Sequence, residues 1–357
     1  MSLARPAAAL SSCLLAFAAP LFAGTHAGAE AVNFEHEDWE LVCDNTRTCR
    51  AAGYQDEDAS APVSVLLTRK AGPGTAVTGQ VALADDWDET LLGDLPKQFR
   101  LALSIDGRAH GSVAMQQTDT VADLTPAQVA ALLKALARDT RIEFNAGKHT
   151  WTLSDRGASA VLLKMDEVQG RLGTPGALRR PGKRSESDVL PALPAPVVRA
   201  ATPHPPKPTD AGFLDRHGDA LRAALRRASD ADDCMDLFDE NDVQPLEIAR
   251  LTKTKLLVST RCWLAAYNAG DGYWIVDDTP PFKPEFVTEQ ANGYEDGALS
   301  ASHKGRGMGD CWGSQEWTWD GKTFVATGEM TTGQCKGFPG GAWQLPTLVT
   351  DVVNAKK

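Results

Sequence analysis

Six cysteines constrain this chain most: Cys43, Cys49, Cys234, Cys262, Cys311 and Cys335. A seventh, Cys13, lies in an N-terminal stretch that reads as a secretory leader. Arg5 gives it a positive start, and Ala7–Ala23 is apolar apart from Ser11, Ser12 and Pro20. Ala27-Gly28-Ala29 then offers small residues for cleavage before Glu30. Leu10-Ser11-Ser12-Cys13 resembles a lipoprotein box, but the apolar region ahead of it is very short. Cleavage after Ala29 and a periplasmic address are therefore expected. An even set of thiols in an exported chain points to disulfides. Sequence order suggests Cys43–Cys49, Cys234–Cys262 and Cys311–Cys335. Zinc is the rival, but the thiols lack the close spacing of common zinc knuckles and His is scarce. No metal or cofactor site is expected.

Without the leader the chain is about twice the usual domain length, which implies two domains. The expected class is mainly β with a few helices (α+β): two disulfide-stapled β-rich domains joined by a Pro-rich linker. Composition places the leader at 1–29 and an N-terminal β-rich domain with one or two helices at 31–178. A Pro/Arg-rich linker covers 179–210, and a Trp/Gly-rich β domain with an N-terminal helix covers 211–354. Eight prolines from Pro181 to Pro208 suit a semi-rigid, extended connection. The net charge of -11 argues against nucleic acid or an anionic membrane as partner. After the leader, no stretch is long and apolar enough to cross a bilayer.

In the N-terminal part, Trp39–Cys43 alternates as a strand does, Asp44–Thr48 reads as a turn, and Cys49–Gly53 returns. Val63–Arg69, Val77–Ala84, Phe99–Ile105, Ser112–Gln117, Arg141–Asn145 and His149–Ser154 are further strand candidates. Thr125 and Pro126 start a helix whose stripe is Val129, Leu132, Leu133 and Leu136. Gly157–Glu167 reads as a turn plus a second short helix. In the C-terminal part, Asp215–Ala228 reads as a helix. Lys255–Thr260 reads as a buried strand continued by Trp263–Asn268, with a turn at Asn268–Gly272 and a return at Tyr273–Val276. Leu299–Ser302 and Phe324–Met330 are the last strands.

His303–Gly321 holds the candidate site. Gly305, Gly307 and Gly309 alternate with Arg306, Met308 and Asp310, which suits a tight turn. The strand before, the helix after and the Gly-Lys-Ser/Thr ending of a phosphate loop are all missing, so the turn reads as structural. Cys311 can tie it to another segment. Glu316–Trp319, Asp320-Gly321 and Lys322–Val325 then form a hairpin signal. Tryptophan offers a flat face and one N–H, so an exposed row could stack on sugar rings or anchor a protein. Trp317 and Trp319 share one face of their strand, to be buried or exposed together. Trp312 is the best surface candidate. The candidate binding residues are Arg306, Asp310, Trp312, Trp317 and Trp319. No catalytic residues are expected. Ser154, Asp155 and His149 lie close in sequence, but a triad is defined by geometry and roles.

Several motifs resemble one family. They are Trp39…Cys43-Asp44-Asn45…Cys49-Arg50-Ala51, Leu66–Gly74, Met165–Arg171, Cys262-Trp263…Ala266-Tyr267-Asn268, Lys304–Cys311 and Trp317–Phe324. Together they are similar to the bacterial exported domain of unknown function (DUF) 1176, across nearly the whole mature chain. Trp312 and Leu264-Ala265-Ala266 depart from that pattern. The N-terminal Trp-x-x-x-Cys-Asp…Cys motif is similar to the invasion-associated locus B family of small periplasmic β proteins. Leu299…Trp317–Gly321…Phe324 resembles β repeats of some periplasmic lysozyme inhibitors. These resemblances imply an address and no activity. The expected function is a non-catalytic protein-interaction module of the cell envelope, an inhibitor or protector against an envelope enzyme, with an envelope protein as partner. The alternative is a carbohydrate- or peptidoglycan-binding protein that takes cell-wall glycan, and a hydrolase ranks last.

Overall fold

The computed structural model describes residues 28–59, 61–85 and 91–354. The expected leader lies outside them except for Gly28 and Ala29. The described chain is mainly β, and the three disulfides join the cysteines in sequence order.

The first sheet contains β1 (Val32–His36), β2 (Trp39–Cys43), β3 (Cys49–Tyr54), β4 (Val63–Arg69) and β5 (Val77–Leu83), each antiparallel to the next. β6 (Gln98–Ile105) and β7 (Arg108–Gln116) open a second sheet, and β8 (Val121–Asp123) returns to the edge of β5. α1 (Pro126–Ala135) follows; Thr125 and Gln128 cap each other reciprocally at its start. β9 (Ile142–Ala146) and β10 (His149–Leu153) complete the second sheet in the order β10-β9-β6-β7, and α2 (Ala158–Val168) closes the unit. The core between the sheets is built from Trp39, Leu41, Leu67, Leu101, Phe144, Trp151 and the helix residues Leu132 and Leu162.

Side chains alternate across a strand, and here both faces of the first sheet are covered. Leu41, Ala51 and Leu67 face that core. Val42, Ala52 and Leu66 face outward onto Phe338, Trp343 and Leu345 from the far end of the chain. The Pro-rich segment is hydrogen bonded along its length. Gly72 N–H donates to Leu190 O, Leu193 N–H to Thr46 O, Ala201 N–H to Trp319 O and His204 N–H to Leu251 O. Within it β11 (Val197–Ala200) pairs in parallel with the last strand.

The C-terminal half begins with α3 (Phe213–Ala228) and the single turn α4 (Met235–Phe238). β12 (Glu247–Arg250), β13 (Lys255–Leu264), β14 (Ala269–Asp277) and β15 (Glu285–Ala291) form one antiparallel sheet. β16 (Gly293–Glu295), β17 (Ala298–Lys304), β18 (Trp312–Trp319), β19 (Phe324–Thr331) and β20 (Leu345–Val349) form the next, and β21 (Asp351–Asn354) pairs with β11. The helices cover one face of β13–β14 through Leu221, Leu225, Val258 and Trp274. The other face, with Leu257 and Ile275, packs on Leu299, Trp319 and Phe324.

The expected turn at Asn268–Gly272 is wrong. The turn occupies residues 265–268, and Ala269–Gly272 already pair with β13. Their glycines serve packing instead. A Cβ on Gly270 would lie 2.4 Å from the Trp263 indole nitrogen, and one on Gly272 would lie 2.3 Å from Cys262 Sγ. The Trp263–Asn268 stretch accordingly leaves the strand after Leu264.

Candidate functional site

β17 ends at Lys304 and β18 begins at Trp312, so Gly305–Cys311 is the connection between two neighbouring strands. Gly305 N–H donates to Cys311 O at 2.8 Å, and the Cys311–Cys335 disulfide ties the loop to the segment after β19. Arg306 and Asp310 face each other across the loop. Arg306 Nε donates to Asp310 Oδ1 at 2.7 Å, and its Nη2 donates to Asp310 Oδ2 and Cys335 O. Asp310 Oδ2 also accepts from Gly337 N–H at 2.8 Å. Burial pushes the Asp310 carboxyl up, but Arg306 and the Gly337 N–H outweigh it and hold it below the usual carboxylate range. The donor atoms of Asp310, Cys311 and Cys335 lie within 4.8 Å of one another, but the two sulfurs are bonded to each other.

The five candidate residues have different placements. Arg306 and Asp310 satisfy one another and fasten the loop. Trp312 is half-buried; its Nε1 donates to Gly309 O at 2.9 Å, and Lys304 Nζ sits 5.5 Å from its ring centroid. Trp319 is 1% exposed, with its ring 5.3 Å from that of Phe324. Trp317 shares that face but is only half-buried, near the open end of the same core. The reason is position: Trp319 ends its strand at the hairpin turn, where Asp320 Oδ1 accepts from Lys322 and Thr323 N–H.

Two features were not singled out in the sequence. One is a tip. The turn after β13 stands against the glycine loop, stitched by Asn268, whose Nδ2 donates to Lys304 O while its Oδ1 accepts from Lys304 N–H, both at 2.9 Å. The pairing leaves Leu264, Tyr267 and Met308 exposed at 64%, 47% and 51%. The Tyr267 ring lies against Gly307, whose Cβ would be only 3.6 Å from it. The available signal was apolar residues within the turn-forming stretches 264–267 and 305–308. The other feature is a groove of about 720 Å³ between the first sheet and the C-terminal sheet, with Trp312 in its wall. Nothing local announces it, because its residues run from Gln80 to Gln344.

The hydrolase set does not assemble. Ser154 Oγ donates to Asp38 Oδ2 at 2.7 Å, whereas His149 Nε2 lies 3.5 Å from Asp94. Asp155 accepts from Thr140 N–H at 2.6 Å.

The family model described as "Protein of unknown function (DUF1176)" matches residues 33–350. The chain belongs to the DUF1176 family. It is also similar to the uncharacterized protein YpfG of Escherichia coli (strain K12), at 26% identity over 335 residues that cover 87% of this chain and 90% of that protein. No solved structure matches. The family match runs through both the glycine loop and the segment that its disulfide reaches. Among the described residues, no helix is long and apolar enough to cross a membrane.

Proposed function

We propose that this DUF1176 protein is a non-catalytic binding protein of the cell envelope, which docks its paired loop tip into a cleft on an envelope protein. The reading is carried by exposed Leu264 at the end of β13 together with Tyr267 and Met308 on two loops whose backbone is already fixed. The Cys311–Cys335 bond, the Arg306–Asp310 pair and Asn268 hold that backbone. A loop held in its bound shape loses little conformational freedom on association, so more of the apolar burial appears as affinity. Tyr, Met and Arg are also enriched at protein interfaces. An enzyme cleft is the fitting receptor for such a tip, which makes inhibition or protection the role. Export rests on the leader-like N terminus together with three disulfides.

The test uses the oxidised mature protein and its Met308→Asp variant as paired baits in an envelope extract. Met308 is half exposed, so the melting temperature should stay within about 1 °C, as for a surface change. A partner held by the wild type through high salt and lost from the variant is the expected result. Identical protein sets from the two baits would overturn the assignment.

A further inference from the structure

The groove beside the tip has a chemistry of its own. Its volume of about 720 Å³ falls within the range of small-ligand sites, about 300–1,000 Å³. None of the side chains lining it is charged, although 23% of the chain is Asp, Glu, Lys or Arg. Lys304 Nζ, 5.5 Å from the Trp312 ring centroid, is engaged with that ring, and no carboxylate lines the groove, so a charged ligand would be poorly repaid for its lost hydration. The fitting occupant is therefore neutral.

The floor is the face of a sheet. Ser302, Ser314 and Met330 stand opposite one another on β17, β18 and β19 as a single cross-strand row. Trp312 lies two residues from Ser314 on β18 and so projects to the same face. β18 is paired on both sides, which leaves no free backbone edge there for an extended peptide to extend the sheet. The indole N–H of Trp312 is occupied by Gly309 O, and that of Trp343 by Ser64 Oγ at 2.6 Å. The half-buried Trp312 thus presents ring surface with no free N–H, beside the Lys304 ammonium, and the buried Trp343 adds little. The polar groups around them are hydroxyls and amides, including the exposed Gln344, which both donate and accept. An apolar ring surface beside two-way hydrogen-bonding groups complements a pyranose, which has C–H faces and an equatorial belt of hydroxyls.

We propose that this groove binds an uncharged oligosaccharide, stacked on Trp312 and hydrogen bonded across the Ser302–Ser314 row. The site is distinct from the protein-docking tip: Gly309 of the tip loop borders it, but Met308 does not line it. Neutral pyranose chains can come from wall glycan or from exported glucan, so the titration has two arms. The oxidised protein is titrated with an N-acetylglucosamine tetramer and, separately, with maltotetraose, by calorimetry and saturation-transfer NMR. Ser302 is exposed on β17, so Ser302→Trp fills the groove from its floor without removing a core contact. Gln344→Ala is the milder companion, which keeps the test informative if the first variant folds poorly. The expected result is saturable binding in one arm, weakened at least tenfold by Ser302→Trp and measurably by Gln344→Ala, with Met308→Asp unchanged. The arm that binds names the source. Silence in both arms at millimolar sugar, or binding that neither groove variant alters, would overturn the proposal and leave the docking tip untouched.

Discussion

Trp343→Ala tests whether the two halves fold as one body. Trp343 is 7% exposed and sits among Val42, Ala52, Tyr54 and Leu66 on the outer face of the first sheet. A buried tryptophan removes about 200 Å² from water, which at about 25 cal/mol/Å² is about 5 kcal/mol. Part of that surface is already covered in the unfolded chain, and measured truncations of large aromatics cost about 3–5 kcal/mol. The lost hydrogen bond adds little, because Ser64 Oγ keeps its bond to Gly53 O at 2.8 Å. If about 320 residues unfold together, the unfolding entropy is about 0.7 kcal/mol/K, and the midpoint falls by about 4–8 °C. If the C-terminal part of about 140 residues melts alone, the same cost lowers its midpoint by about 10–17 °C and splits the transition. Scanning calorimetry of the oxidised protein separates these outcomes. One transition with the smaller shift is expected. A shift under about 2 °C with an unchanged near-UV spectrum would refute the reasoning.

Glu40 is buried at the same seam, where its Oε1 accepts from Tyr54 Oη at 2.6 Å and from Gln334 N–H at 2.8 Å. Burial pushes its carboxyl above the usual range despite those bonds. A raised carboxyl pKa in the folded state means that ionisation costs stability. The cost grows as pH rises from the unfolded value toward the folded one, then stays constant. Glu40→Gln keeps an acceptor and removes the charge, so it should raise the midpoint at pH 7 and lose that advantage below about pH 4; a lower midpoint at pH 7 would contradict this. Asp310→Asn acts in the opposite sense. It puts an amide N–H group against Arg306 or the Gly337 N–H and should cost about 2–3 kcal/mol in urea unfolding at pH 7. Since the Asp310 carboxyl is held low, its stabilisation is present above the unfolded pKa and disappears as pH falls through the folded one. The gap between wild type and variant should therefore narrow in acid, and a pH-independent gap would assign the loss to packing.

The sequence readings held where the governing interactions are short. Thr125 and Pro126 marked the start of α1 because a cap needs only the next turn. Cys43 and Cys49 oppose each other because a hairpin puts them there. Asp320-Gly321 turned the chain because its partners are Lys322 and Thr323. The turn after β13 was misplaced for the converse reason. Gly270 and Gly272 are the residues of a turn by type, but they are small here because Trp263 and the Cys234–Cys262 bond press on the strand. Both glycines lie within ten residues of Cys262 and Trp263, but only the strand pairing and the bond to the distant Cys234 bring those groups onto them. The same limit hid the role of Arg306 and Asp310. Four residues apart on an exposed loop, they read as groups offered to a ligand. In the fold, Cys335 O and the Gly337 N–H complete a closed set with them. What that set fixes in place is the loop that carries Met308 and lays Gly307 against Tyr267, 40 positions away. In the proposed docking role, recognition at the tip would fall to the uncharged neighbours of the conspicuous charges, and substitution of Arg306 would act on the tip through its shape.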